Sequence, residues 1–295
     1  LEKSLKLSKK DTNVYFKLEN QQRTGSYKIR GVLSKITGLT KEELNKGIVA
    51  ISSGNHGAAT SYVAGLLGIK NASVYMPQTT PRAKVDKIQY YGAQAVKIGK
   101  NYDEAREKGL EKIKDRGSVY IDSCSDGLVI AGQGTIALEI LEEAPHIDTI
   151  LVPIGGGGLI TGISIGAKAI NPQIKVIGLQ TAACPAMIAS LRDNKFYEMY
   201  PTEESICDAL VGGVGEIPFK MARDTIDDII AVDEVDIREA VKYLLLEESI
   251  IAEPAGAIGL AAIRKNPHLF RGKNVAVIVT GGNIDKELLL DIINK

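Results

Sequence analysis

Four consecutive glycines, Gly155 to Gly158, form the segment of this chain that is most suited to chemistry. They follow an apolar run that ends at Ile154 and precede a helical pattern that begins at Leu159. Residues without a Cβ atom allow several backbone N–H groups to turn toward one point, and a helix N-terminus favours negative charge there. The sequence therefore predicts a cradle for a phosphate group.

The spacing of these glycines argues against a dinucleotide. The dinucleotide fingerprint G-x-G-x-x-G requires a third glycine three residues after the second. That position is Ile160 when the motif is counted from Gly155, and Thr161 when it is counted from Gly156. One phosphate monoester fits the pattern better than a pyrophosphate. A tight turn without a ligand is the plain structural alternative, although one or two glycines would be enough for it.

Three further segments carry groups that could act on a small molecule. Lys28 stands at a predicted helix start, where nearby positive charge and partial burial lower the basicity of an amine. Residues 52–57, Ser-Ser-Gly-Asn-His-Gly, follow a predicted strand and offer donors for a carboxylate. Thr280 ends another predicted strand and presents one hydroxyl. Taken singly, these segments read as a solvated lysine, a helix cap and a turn.

These segments lie at strand ends in a chain that alternates strands with helices. Strands are predicted at 14–18, 47–51, 73–76, 95–98, 118–121, 148–154, 175–179 and 274–279. Helices are predicted at 26–36, 55–67, 81–91, 102–115, 130–143, 159–170, 285–293 and, from a capping box of Asp236 and Glu239, up to Glu248. The pattern predicts an α/β fold with two open, mainly parallel sheets flanked by helices. Turns converge at the carboxyl ends of such strands, and together these groups suit an amino acid held on pyridoxal phosphate.

Composition excludes several other classes of function. Lysine plus arginine and aspartate plus glutamate both number 36 among 295 residues, and without a basic stripe we expect no nucleic-acid partner. No apolar run is long enough to span a membrane. The three cysteines and three histidines are scattered. This spacing argues against disulfides and against a metal site, and it favours a reducing, cytoplasmic location.

Six segments together resemble the fold-type-II pyridoxal-phosphate enzymes, and among these the serine/threonine dehydratase and serine racemase group. The segments are 26–31, 52–57, Ile130-Ala-Gly-Gln-Gly-Thr135, 155–159, Glu253-Pro-Ala-Gly-Ala257 and Thr280-Gly-Gly-Asn-Ile-Asp285. They span essentially the whole chain in order. The resemblance implies a tryptophan-synthase-β-like fold and a homo-oligomer, either a dimer or a tetramer. It also implies a large cofactor-binding domain (residues 1–48 and 126–295) and a small mobile domain on the substrate side (residues 49–125).

The resemblance further implies a role for each residue of the site. Lys28 bonds covalently to the cofactor aldehyde and later removes the substrate Cα proton. The other cofactor contacts are Tyr27 and Glu253 beside the cofactor, Asn55 at its 3-hydroxyl, Thr280 at its pyridine nitrogen, and the N–H groups of Gly155, Gly156, Gly157, Gly158 and Leu159 at its phosphate. The substrate carboxylate is bound by Ser52, Ser53, Asn55 and His56. Gln180 and Ala183 stand where some racemases have acidic cation ligands, so no metal site is carried over.

The implied activity is the dehydration and deamination of L-threonine and L-serine, which gives 2-oxobutyrate or pyruvate together with ammonia. Ser53 keeps serine racemase open as an alternative, because serine racemases carry serine here as a base on the opposite ring face while some dehydratases carry alanine. We therefore expect racemase activity beside dehydration. Two further alternatives are a β-replacement synthase, which residues 52–57 disfavour, and a non-catalytic cofactor-binding protein, which the intact Lys28 disfavours.

Overall fold

The protein is described here from a computed structural model, which covers residues 1–9 and 11–295. Its strands are β1 (Glu2–Lys3), β2 (Asn13–Leu18), β3 (Ile48–Ile51), β4 (Ala72–Met76), β5 (Gln94–Lys97), β6 (Val119–Tyr120), β7 (Thr149–Pro153), β8 (Lys175–Thr181), β9 (Asp228–Val232) and β10 (Asn274–Val279). Its helices are α1 (Lys28–Thr37), α2 (Lys41–Asn45), α3 (Asn55–Leu66), α4 (Arg82–Tyr90), α5 (Tyr102–Arg116), α6 (Gly127–Glu143), α7 (Gly158–Ile170), α8 (Ala186–Asp193), α9 (Glu216–Thr225), α10 (Glu234–Glu248), α11 (Pro254–Lys265) and α12 (Lys286–Asn294). Short 3-10 helices lie at Glu19–Gln21 and Pro267–Phe270.

The chain divides into two compact units. The first unit comprises residues 1–27 and 133–295, and the second unit comprises residues 28–132. One boundary lies where α1 begins, and the other lies inside α6. The α/β fold class and the two mainly parallel sheets are confirmed. The domain division at 48/49 and 125/126, and the mobility of the smaller domain, stay a prediction.

The first unit is built on a six-stranded sheet in the order β1-β2-β10-β7-β8-β9. Only the pairing of β1 with β2 is antiparallel. Strand β10 shows why its central strands are almost wholly apolar: Val275, Val277 and Val279 join one hydrophobic cluster, while Ala276 and Ile278 join another. Side chains alternate across a strand, so a sheet covered by helices on both faces must be apolar at every position.

The second unit contains a four-stranded parallel sheet in the order β5-β4-β3-β6. Strand β3 is buried at all four positions. Helix α3 packs there with small residues, since Ala58, Ala59 and Ala64 are all buried. Such residues allow close approach of the helix to the sheet, and its N-terminus follows directly from the carboxyl end of β3.

One predicted feature of α10 is wrong, and one strand near it was missed. Helix α10 begins at Glu234 with Asp233 at its N-cap, so the capping box predicted at Asp236 and Glu239 is wrong. Asp236 lies inside the first turn instead, and its carboxylate accepts a hydrogen bond from Lys265 Nζ at 2.6 Å. Strand β9 was not predicted, because this edge strand has only one fully buried residue, Val232, and shows no clear alternation.

No helix within the described ranges is both long enough and apolar enough to cross a membrane.

Candidate active site

In the first unit, the glycine segment and Thr280 follow two neighbouring strands of one sheet. Strands β7 and β10 pair in parallel only as far as Leu151 and Val277. Beyond that point β7 continues along β8, while β10 continues along β2. Strands β7 and β10 therefore separate from each other at their carboxyl ends. In open α/β sheets a crevice at such a point is the usual place for a ligand.

The glycine segment forms the turn from β7 into α7. Gly157 is the N-cap of α7 in the left-handed conformation, with φ of 91°, and as a glycine it makes no side-chain capping hydrogen bond. The carbonyl of Gly156 accepts the N–H of Gly215 at 2.8 Å, and that of Gly157 accepts the N–H of Thr161 at 3.1 Å. With these carbonyls used inside the protein, the loop and the first turn of α7 present N–H groups to an anion.

The first unit holds three predicted site residues in addition to the glycine turn. They are Thr280, Glu253 and Tyr27. Thr280 is buried at the end of β10, and its carbonyl accepts the N–H of Tyr27 at 3.0 Å. Glu253 is buried at the N-cap of α11, and its N–H donates to the carbonyl of Gly281 at 2.9 Å. The structure therefore brings Thr280, Tyr27 and Glu253 together around one strand end.

In the second unit, Lys28 is the first residue of α1, so it stands at a helix start as predicted, although the helix begins two residues later than position 26. Its Nζ lies 3.5 Å from the carbonyl oxygen of Ser123. Cys124 follows Ser123 in the chain. The pKa of its thiol is raised to about 11, first by burial and second by the charge of Asp122, while the charge of Lys28 opposes this rise. Asp122 shapes this turn, because its Oδ1 accepts the N–H groups of Cys124 at 2.8 Å and Ser125 at 2.6 Å.

Residues 52–57 form the turn from β3 into α3, with Asn55 as the first helical residue. Ser52 Oγ accepts the N–H of Gly54 at 3.2 Å, and both Ser52 and Ser53 are half-buried. Gly57 permits the tight closure, since a Cβ atom there would strike the carbonyl oxygen of Ser52. The turn thus presents hydroxyl, amide and N–H donors at a helix N-terminus, which suits a carboxylate.

His56 differs from the other donors of this turn, because its ring is buried. Its Nε2 lies 2.7 Å from the carbonyl oxygen of Ile121, which can only accept a proton. Burial, with the charge of Lys28 second, lowers the pKa of His56 to about 4. The ring is therefore neutral at pH 7 with its proton on Nε2, and it brings no positive charge to a substrate carboxylate.

Taken separately, each unit offers groups that fit one part of a phosphate-bearing cofactor with an aldehyde. The first unit supplies an uncapped helix start behind a glycine turn and a buried hydroxyl at Thr280. The hydroxyls of Thr24 and Ser26 are also buried there without a partner among the described residues. The second unit supplies an amine at Lys28. A phosphate requires the first group of donors, and an aldehyde requires the amine.

A metal site finds no comparable support. No group of three His, Cys, Asp or Glu side chains in residues 1–9 and 11–295 is placed to hold a metal ion. Gln180 has a structural task instead, because its Oε1 accepts the N–H groups of Met187 and Ile188, both at 3.0 Å, in the first turn of α8.

Sequence reasoning missed the residues whose backbone meets these side chains. The carbonyls of Ser123 and Ile121 contact the side chains of Lys28 and His56, and the carbonyl of Gly281 accepts the backbone N–H of Glu253. The run Asp122-Ser-Cys-Ser-Asp126 after a strand was a usable signal, since aspartate in this context makes a turn. Every residue has a backbone carbonyl, so a contact made by a carbonyl cannot be predicted from the residue type.

Comparison with known proteins agrees with this geometry. Residues 1–281 match the family described as pyridoxal-phosphate dependent enzymes. The L-threonine ammonia-lyase of Thermotoga maritima is 42% identical over 283 residues, which cover 96% of this chain and 70% of that protein.

Two solved structures are similar over the whole fold. The processed form of threonine deaminase isoform 2 from Solanum lycopersicum has a TM-score of 0.94 and 33% identity, over 100% of this chain and 86% of that chain. Maize serine racemase has a TM-score of 0.86 and 34% identity, over 96% of this chain and 87% of that chain. The chain belongs to the family of pyridoxal-phosphate dependent enzymes, as its glycine turn and its helix-starting lysine had indicated.

Proposed function

We propose that this enzyme is a threonine ammonia-lyase, which converts L-threonine to 2-oxobutyrate and ammonia and L-serine to pyruvate and ammonia. The relative from Thermotoga maritima bears the name of that activity at 42% identity over 96% of the chain. The observation that carries the proposal is Lys28 at the start of α1, in the same unit as the carboxylate-binding turn at 52–57.

Lys28 removes the proton from the substrate Cα. Pyridoxal phosphate, when bound, supplies a ring that withdraws electrons from the substrate Cα and so makes that proton removable. Lys28 Nζ lies near a carbonyl oxygen, that of Ser123, which can hold the ammonium form by a hydrogen bond. An amine that takes the Cα proton is thereby kept in place until the proton leaves again.

The donors on the two units have separate tasks. The N–H groups of Gly155 to Leu159 would hold the phosphate, and the hydroxyl of Thr280 would serve the pyridine nitrogen. A hydroxyl there would not hold that nitrogen protonated as a carboxylate would. In the second unit, Asn55 would hold the cofactor 3-hydroxyl and residues 52–56 would hold the substrate carboxylate. Because His56 is neutral, the N–H and hydroxyl donors of this turn would bind that carboxylate.

The test is borohydride reduction of the holoenzyme, followed by peptide mass spectrometry and an assay of 2-oxo acid release. We expect the cofactor adduct on Lys28 and release of 2-oxobutyrate from L-threonine. Lys28→Ala should lose the adduct and at least about a thousandfold in rate. Lys41→Ala, an exposed lysine of α2, is the matched control and should keep both. An adduct on another lysine, or no release of either 2-oxo acid, would contradict the proposal.

Serine racemase with side dehydration is the second candidate, and Ser53 is the residue that favours it. Its hydroxyl belongs to the half-buried turn that precedes α3. We expect D-serine to form from L-serine beside pyruvate. Ser53→Ala should abolish D-serine formation while pyruvate release persists. If wild-type enzyme that is active on L-serine makes no D-serine, this second activity is absent.

The remaining expectations on location and assembly belong to the same proposal. A cytoplasmic enzyme agrees with three cysteines that are all free. A formal net charge of zero gives no reason to expect nucleic acid as a partner. The homo-oligomer implied by the resemblance is tested by light scattering of the holoenzyme.

A further inference from the structure

Gly281 joins two parts of the first unit at the end of β10. Its carbonyl oxygen accepts the N–H of Glu253 at 2.9 Å, and it forms an isolated antiparallel bridge with Ser26. The neighbouring pair, Tyr27 N–H to the carbonyl of Thr280, extends this contact. Gly281 therefore lies between Glu253 and the segment that leads to Lys28.

The carboxylate of Glu253 fills the space where a side chain at position 281 would be. A Cβ atom built on Gly281 would lie 2.7 Å from Glu253 Cδ and closer still to Oε1. Glu253 is 7% exposed, so its carboxylate is buried at this position. Although Glu253 is the N-cap of α11, its side chain makes no capping hydrogen bond to that helix. The carboxylate is directed to β10 instead.

Backbone conformation does not explain this glycine. Gly281 is absent from the set of positive-φ glycines in the described chain, so alanine could adopt its backbone conformation. The reason for glycine is the space that it leaves, and the group that uses this space is a buried carboxylate beside Thr280.

We propose that Gly281 is a positioning residue, which by having no side chain fixes the place of the Glu253 carboxylate at the end of β10. Through that carboxylate it sets how tightly the cofactor is held. This inference rests on the proposed function, since it takes Glu253 to lie beside the cofactor.

Two neighbouring glycines provide matched controls. A Cβ atom on Gly256 would meet the carbonyl oxygen of Gly281 at 2.8 Å, and one on Gly282 would meet that of Ile251 at 2.8 Å. Both of these obstacles are backbone atoms, whereas the obstacle at Gly281 is the end of a flexible side chain. Gly281→Ala should therefore move the Glu253 carboxylate and leave the fold intact. The two controls, Gly256→Ala and Gly282→Ala, should destabilise the fold.

The experiment is a double-mutant cycle on the holoenzyme, with Gly281→Ala, Glu253→Ala and the double variant. Equilibrium dialysis at graded cofactor concentrations gives the dissociation constant, and the absorbance spectrum reports the surroundings of the bound ring. We expect each single variant to weaken cofactor binding about tenfold, which is the effect of losing one charge-assisted contact. The double variant should be no weaker than Glu253→Ala, because both changes act on one group. The unfolding midpoint of Gly281→Ala should stay within about 3 °C of wild type.

A crystal structure of Gly281→Ala separates the possible failures. A carboxylate that has not moved overturns the proposal, as do effects that multiply in the double variant. If the carboxylate is displaced but the cofactor affinity and spectrum are those of wild type, the proposed effect of Gly281 on cofactor binding is overturned. If wild-type protein retains no cofactor, the proposed function fails instead, and the carboxylate position in the crystal still decides whether Gly281 seats Glu253.

Discussion

His56 illustrates how the surroundings of one residue reverse the role that its type suggests. A histidine in a turn rich in donors suggests a cation for a carboxylate. The ring is instead buried, with Nε2–H donated to Ile121 and with Nδ1 lacking a described partner. Burial of the ring and the charge of Lys28 both disfavour the protonated form. The residue therefore ties the turn before α3 to the end of β6.

The lowered pKa of His56 predicts a specific loss of stability in acid. The unfolded chain binds a proton on this ring below pH 6.5, whereas the folded protein does so only near pH 4. The free energy of unfolding due to His56 is thus intact above pH 6.5 and falls by about 3 kcal/mol as the pH drops to about 4. Denaturant unfolding between pH 7 and pH 4.5 measures it.

The variant for this comparison is His56→Gln, whose amide can still donate to Ile121 but does not titrate. Its unfolding free energy should fall less steeply with acid than that of wild type. His268→Gln, at an exposed position, is the control and should follow wild type. Parallel curves for wild type and His56→Gln would contradict the prediction.

At the scale of elements, Gly157 determines how β7 turns into α7. Its φ of 91° is unfavourable for any residue with a Cβ atom, and a Cβ atom there would lie 2.6 Å from Pro218 Cβ. We expect Gly157→Ala to cost about 2–4 kcal/mol of stability, from strain together with overpacking. Gly68→Ala is the matched control, because Gly68 has φ of 69° but open space around its Cβ position.

Denaturant unfolding of both variants separates strain from packing. Gly68→Ala should lose only about 1–2 kcal/mol, the cost of the left-handed conformation. Gly157→Ala should lose more, and it should also retain less cofactor on dialysis. Equal losses for the two variants would mean that contact with Pro218 does not matter.

The sequence was most informative about local elements with strong periodicity or distinctive turn residues. The glycine turn, Lys28 at a helix start and the turn at 52–57 could all be predicted, because each depends on residues adjacent in the chain. The start of α10 could not be predicted, because the residue at its N-cap position, Asp233, makes no side-chain capping hydrogen bond and Asp236 is a residue of the same type. Residue roles toward cofactor and substrate stay predictions.

At the scale of the whole molecule, the reactivity of the three thiols tests how well each unit shields its buried residues from solvent. Cys184 and Cys207 are buried in the first unit, and burial raises the pKa of Cys207. Cys124 in the second unit is only partly enclosed. A thiol reagent should therefore label native protein slowly and at Cys124 alone, because the thiolate is the reactive form.

Full denaturation without a reductant should then release three reactive thiols. Cys124→Ser is the control for the native reaction, and it should remove the slow labelling while leaving two thiols in denaturant. Fewer than three thiols in denatured wild type would contradict the free state of the cysteines.

The non-local part of the architecture was beyond the reach of sequence patterns. The number of sheets could be predicted from the alternation of strands and helices, whereas the return of the chain start to the larger domain was implied only by the family resemblance. That return depends on β2 pairing with β10, from opposite ends of the chain. No adjacent residues report such a pairing, because it is selected by the burial of both strands in one core.

The proline at the end of β7 has a consequence for the enzyme before it meets any ligand. The N–H of Ile154 points to β8, so the nitrogen of Pro153, one residue earlier, points toward β10 and carries no hydrogen. The ladder of β7 with β10 therefore cannot continue past Leu151 and Val277, and the two strands separate before Gly155 and Thr280. An empty protein should thus be ready to receive its cofactor without first separating two strands.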